Sequence, residues 1–229
     1  MSETALVLFS AGQDSATCLA WALRRFKTVE TIGFGYGQRH AIELSQRPVL
    51  RDQIATVCGG VLGGDVVVDL SGYGALAESA LTSERAVEWA NNGLPATFVP
   101  GRNLVFFTVA AAHAYRRGIS ILVGGMCETD FSGYPDCRRE TIDAMERTLS
   151  LGLDAPMTID TPLMHLTKGQ TWALAHELGG EALVSTIVEQ SHTCYHGDRV
   201  HRYPWGYGCN ACAACDLRAK GWRAWRESA

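Results

Sequence analysis

No Gly-Lys pair occurs anywhere in the 229 residues. Its absence excludes a Walker-type loop, whose lysine neutralises the β and γ phosphates of a nucleotide, and removes the usual kinase and GTPase designs. Basic charge is scarce as well. Lys and Arg number 20 against 24 Asp and Glu, for a formal net charge of −4, so no broad cationic face for nucleic acid is expected. Long apolar runs are missing too: the longest, Leu104 to Ala112, is too short to cross a bilayer, and no membrane association is expected. The first residues lack a basic region leading into an apolar core, which points to a cytoplasmic location. No internal repeat or low-complexity tract stands out.

What is present suits one α/β domain with a small appendage, since 47% of residues are hydrophobic and 19% charged. Short apolar runs predict strands at Ala5 to Phe9, Thr31 to Tyr36, Val66 to Leu70, Ile119 to Gly124 and Thr158 to Asp160. Between them lie helical patterns. Ser15 to Phe26 carries an apolar stripe at Leu19, Ala22, Leu23 and Phe26; Arg39 to Cys58 contains Pro48, which should kink or split it. Arg102 to Tyr115 and Pro135 to Leu151 follow, and Thr167 to Leu178 opens with the capping box Thr-x-x-Gln and should close at Gly179-Gly180. Such alternation predicts a doubly wound, mainly parallel five-stranded Rossmann-like sheet with helices on both faces. Residues 72–98, rich in glycine, read as an insertion or lid.

The first strand runs directly into Phe9-Ser10-Ala11-Gly12-Gln13-Asp14-Ser15, and helix resumes at Ala16-Thr17-Cys18-Leu19. A turn of this kind aims backbone N–H groups and a helix N-terminus at one anion, so it suits a pyrophosphate. The bland alternative is an ordinary turn with Asp14 or Ser15 as N-cap. Ligands of such a sheet sit beyond the carboxyl ends of its strands. Polar residues crowd there: Tyr36, Gln38, Arg39 and His40 after strand two, Arg102 before the central helix, and Glu128, Asp130, Phe131, Tyr134, Asp136 and Arg138 after strand four. Lys168, in the first turn of its helix, is badly placed for the helix dipole and so favours a functional reason. Singly, Arg39, His40 and Arg102 could be solvated charges, and Glu128, Asp130 and Asp136 turn formers. Their convergence on one sheet edge argues for a site.

The eight cysteines divide into a scattered four and a cluster of Cys194, Cys209, Cys212 and Cys215. Four thiolates close a tetrahedral Zn2+ shell and imply a structural metal, with an iron–sulfur cluster as the alternative. His192, His196 and His201 flank the first ligand and could replace one. Residues 1–185 then form the α/β domain that carries the phosphate turn and 186–229 a zinc-binding segment packed on it.

Taken together, the phosphate turn, Tyr-Gly-Gln-Arg-His, Val-Pro-Gly-Arg-Asn, Glu-Thr-Asp-Phe-Ser-Gly-Tyr-Pro-Asp-Cys-Arg, Thr-Pro-Leu-Met and the terminal cysteines resemble the 7-cyano-7-deazaguanine synthases, in the PP-loop ATP pyrophosphatase group. The resemblance spans residues 5 to about 220. It implies the adenine nucleotide alpha hydrolase-like fold, a homodimer, and ATP-dependent conversion of 7-carboxy-7-deazaguanine and ammonia to the nitrile preQ0. A carboxylate is a poor electrophile, so the chemistry needs an acyl adenylate, an amide and a second adenylation. Mg2+ would bridge the phosphates with Asp14 as a ligand, and Arg102 and Lys168 would offset developing charge. No cysteine follows Met1 as a glutaminase nucleophile, so free ammonia is the expected donor. Two departures stand out. The turn usually reads Ser-Gly-Gly, so Ala11 is tolerated if its φ is negative and damaging if the turn needs φ above zero, and the Cys194 to Cys209 gap is lengthened by an insertion around Val200 to Trp205. Rival readings are a tRNA-modifying adenylating relative, one that passes the acid to another amine, and a zinc-ribbon interaction module.

Overall fold

The computed structural model describes residues 3–38, 42–77, 79, 97–129 and 134–228. Among them, β1 (Thr4–Leu8), β2 (Thr28–Gly35), β3 (Val61–Asp69), β4 (Ile121–Val123) and β5 (Thr158–Asp160) form one sheet in the order β3-β2-β1-β4-β5. Every pairing in it is parallel. The five expected strands are therefore all present, and the order reverses between β1 and β4. A crevice opens at that reversal, beyond the carboxyl ends of the two strands.

Strand alternation divides the interior into two layers. Ala5, Val7 and Phe9 face α1 (Gln13–Leu23), α2 (Ile42–Cys58) and α6 (Lys168–Gln190), whereas Leu6, Leu8, Ile32 and Phe34 face α4 (Arg102–Arg116) and α5 (Arg139–Gly152). Glycines in β2 explain how closely α2 approaches. A Cβ at Gly33 would fall 2.4 Å from the Arg47 guanidinium, and one at Gly35 would touch Leu44. The first two glycines of the Gly-Phe-Gly-Tyr-Gly run thus serve packing.

Three local expectations changed. Helix α2 continues unsplit through Pro48. The stop at Gly179-Gly180 is real, since Gly180 leaves helical geometry at φ 64°, but helix resumes at once and runs to Gln190. Strand β3 begins at Val61, earlier than its valine run, because one extra residue around Gly63-Gly64 is absorbed where the register with β2 shifts. Of the 72–98 stretch, the short α3 (Ser71–Leu76) is described, and most of the remainder lies outside the described residues.

Beyond α6, a small hairpin, β6 (Arg202–Tyr203) and β7 (Gly206–Tyr207), leads into α7 (Ala213–Ser228). Trp222 and Trp225 of α7 pack against Trp172 of α6, with ring centroids 5.0 and 6.2 Å away. The appendage is therefore docked on the main core.

Candidate active site

The turn after β1 closes on itself through its serines. Gly12 N–H donates to Ser10 Oγ at 3.2 Å, Ser10 N–H donates to Ser15 Oγ at 3.2 Å, and Ser15 Oγ–H reaches the Gly12 carbonyl at 3.1 Å. Gly12 is the N-cap of α1 and supplies no side-chain cap, so neither Asp14 nor Ser15 fills that role. Ala11 takes φ +70°, the left-handed region, contrary to the negative φ that the sequence reading required. Its methyl is fully buried in the core beside Ala16. That conformation costs an alanine about 1–2 kcal/mol, which burial of the methyl, about 0.8 kcal/mol, offsets in part.

The crevice holds a cavity of about 350 Å3. Phe9, Ser10, Gly12, Gln13, Asp14 and Ser15 line it, with Lys168 and Arg102 on its walls. Lys168 Nζ donates to both Asp14 oxygens, at 2.9 and 2.8 Å. The Arg102 guanidinium lies 5.9 Å from the ring centres of both Tyr36 and Tyr134. Burial opposes its charge, but Tyr36, Tyr134 and Asp136 outweigh that and raise its pKa, so it stays cationic. Burial also pushes the thiol of Cys137, another lining residue, up to about 12.

Of the residues singled out from sequence, Tyr36, Gln38 and Tyr134 also face this cavity. Ala11, Ala16, Thr17, Cys18 and Leu19 instead lie fully buried behind the turn. Glu128 and Asp136 hold helix starts. Glu128 accepts the Arg139 N–H at 3.0 Å, at the head of α5, and Asp136 accepts the Asn103 N–H at 3.0 Å, at the head of α4. Arg138 is exposed, off the cavity. Arg39, His40, Asp130 and Phe131 lie outside the described residues.

Sequence reasoning missed Glu43, Phe106, Tyr195 and Arg218, all of which line the cavity. Arg218 is buried, donating to the Trp205 carbonyl at 2.8 Å, Thr193 Oγ1 at 2.8 Å and the Ile187 carbonyl at 3.1 Å. Nothing in its local sequence separates it from a surface arginine of α7. Glu43 had a faint signal, an acidic residue in a first helical turn just after Tyr-Gly-Gln-Arg-His.

The four clustered cysteines offer Sγ atoms all within 4.8 Å of one another, and Cys209 and Cys215 are 4.0 Å apart. Tetrahedral zinc with ~2.3 Å Zn–S bonds sets sulfurs roughly 3.8 Å apart, so small inward movements suffice. Backbone N–H groups of Cys209 and Cys212 point at the sulfurs of Cys194 and Cys209, at 3.4 and 3.3 Å, as suits thiolates. The donor set fits a soft or borderline metal. None of the flanking histidines belongs to it among the described residues.

A parallel sheet of this order, with a Ser-x-Gly-x-Asp-Ser turn at its switch point, defines a PP-loop, ATP-using synthetase. The family profile of the queuosine biosynthesis protein QueC matches residues 4–226, and the chain belongs to that family. It is 64% identical over 230 residues to the 7-cyano-7-deazaguanine synthase of Maricaulis maris, covering 99% of this chain and 95% of that one. Against the enzyme of the same name from Hyphomonas neptunium it is 60% identical over 228 residues, covering 98% and 95%. Among solved structures, a 4-thiouridine synthetase in complex with RNA and ATP shares the fold, with a TM-score of 0.52 at 15% identity over 98% of this chain and 51% of that one. No helix among the described residues is long and apolar enough to cross a membrane.

Proposed function

We propose that the chain converts 7-carboxy-7-deazaguanine and ammonia to 7-cyano-7-deazaguanine, preQ0, with consumption of two ATP. The observation that carries this reading is one cavity floored by the Ser10 to Ser15 turn, with Lys168, Asp14 and Arg102 converging on it. The turn and the start of α1 receive the departing pyrophosphate. Lys168 and Arg102 bear on the negative charge that develops as the carboxylate oxygen attacks the α phosphate. Asp14 would hold Mg2+ once Lys168 turns from it to the phosphates, and that ion would neutralise phosphate charge. Cys194, Cys209, Cys212 and Cys215 would hold Zn2+, in a structural role for residues 186–229.

The acid would lie against Tyr36 and Tyr134, with Gln38, Arg39, His40, Asp130 and Phe131 as its further contacts. Glu128 and Asp136 would act by holding the α5 and α4 starts beside it. The working form would be a cytoplasmic homodimer that needs no nucleic acid. Purified protein given ATP, 7-carboxy-7-deazaguanine and ammonium should yield the nitrile with two AMP for each. Absence of acid-dependent AMP would overturn the reading.

A further inference from the structure

Making a nitrile from ammonia removes all three of its hydrogens as protons. Attack on the acyl adenylate forms the C–N bond, AMP leaves with the C–O electron pair, and nitrogen sheds one proton. The amide oxygen then displaces pyrophosphate from the second ATP. Collapse to the nitrile expels the second AMP with its electron pair, and nitrogen loses its last two protons. These steps call for a proton acceptor in the cavity, whereas adenylation of a carboxylate does not.

Among the described residues, only two carboxylates line the cavity, Asp14 and Glu43. Asp14 has both oxygens engaged by Lys168 Nζ, at 2.9 and 2.8 Å. The lining thiol of Cys137 and the phenols of Tyr36 and Tyr195 are raised by burial and stay protonated near neutral pH. Glu43 remains. It sits on the first turn of α2, one helical turn before the buried Arg47, and its Oε1 lies 4.0 Å from where a Cβ on Gly12 would be. A first-turn glutamate also suits the helix dipole, but that role needs no cavity.

We propose that Glu43 is the general base of amide formation and dehydration, a catalytic residue of the proposed nitrile synthesis. Arg102 of α4 and Tyr36 after β2 are the charged and titratable groups that bear on it, with Asp14 and Lys168 across the same cavity. Burial pushes its pKa up to about 7 against the opposing pull of Arg102. A base so poised is half ionised at neutral pH, where proton transfer is most effective.

The inference rests on the function proposed above, and its test separates the two. Glu43→Gln should keep acid-dependent ATP–pyrophosphate exchange within about threefold of the unaltered enzyme, while nitrile formation falls about 100-fold or more. Conversion of the isolated amide, which needs ATP but no ammonia, should decline below pH 7 in the unaltered enzyme, with no such decline in exchange. Equal losses of exchange and nitrile formation would make Glu43 part of ATP binding, and nitrile formation within threefold of normal would make it a spectator. Either result overturns the proposal. A Glu43→Gln protein that does not fold leaves the pH profile of amide conversion to decide, and a profile flat through pH 7 sinks it. Failure of the unaltered enzyme to form AMP with the acid would instead refute the function itself.

Discussion

Replacing Gly221 by alanine sets helix propensity against packing. Gly221 lies inside α7, where propensity alone favours alanine by about 1 kcal/mol. A Cβ there, however, would stand 2.7 Å from both Cβ and Cγ of Lys168 and 2.8 Å from its carbonyl carbon. Carbon atoms in contact prefer about 3.5–4.0 Å, so the helices must part by roughly 1 Å. The carbonyl carbon is backbone and cannot rotate away. Overpacking of this kind costs about 1–3 kcal/mol, which leaves a net loss near 1 kcal/mol and a Tm lowered by about 2–4 °C. The functional effect should exceed the thermal one. Lys168 opens α6 and reaches Asp14 at 2.8 and 2.9 Å, so displacing its backbone should raise KM for ATP several-fold in an exchange assay. A higher Tm with an unchanged KM would refute the reasoning.

At Ala11 three effects oppose one another. Glycine would relieve about 1–2 kcal/mol of left-handed strain, lose about 0.8 kcal/mol of methyl burial, and lose a further ~0.4–1 kcal/mol to unfolded-chain flexibility. Ala11→Gly should therefore shift Tm by less than about 3 °C either way, and a larger gain on calorimetry would mean the methyl is not packed. Ala11→Val adds overpacking to the strain and should lose about 3 kcal/mol or more by urea unfolding. Cys212→Ser should take zinc, measured by elemental analysis, from one equivalent to near none and lower Tm by more than about 5 °C. Metal loss with Tm unchanged would show that the cluster does not pin the segment.

How much was legible follows from the range of each signal. Strands and most helices were readable because apolar period and caps are local: Thr167 and Gln170 form both bonds of the expected capping box, at 3.3 and 2.8 Å. Strand edges were missed where glycine carries a bulge, since Gly63-Gly64 reads as a turn until β2 is beside it. Helix α7 was missed because its apolar partner, Trp172, lies far away in sequence. At the site, the turn after β1 and the four cysteines that the fold brings together announced themselves by spacing. The N–H groups that Glu128 and Asp136 accept were not legible, because a carboxylate after a strand can serve a ligand or a neighbouring helix equally well. Glu43 and Arg218 stayed hidden because only the assembled fold turns them into one cavity.

The cysteine segment is more than a remote staple. His192 N–H donates to the Ala11 carbonyl at 3.1 Å, so the segment is hydrogen-bonded to the strained residue of the phosphate turn. Thr193, Tyr195 and Arg218 line the same cavity as Ser10 and Asp14, and Gly221 is the surface on which Lys168 rests. Cys194 of the cluster lines that cavity itself. The same segment reaches the core layer on one face of the sheet through Trp222 and Trp225. By position, the segment that carries the cysteine cluster is therefore also a support of the turn after β1.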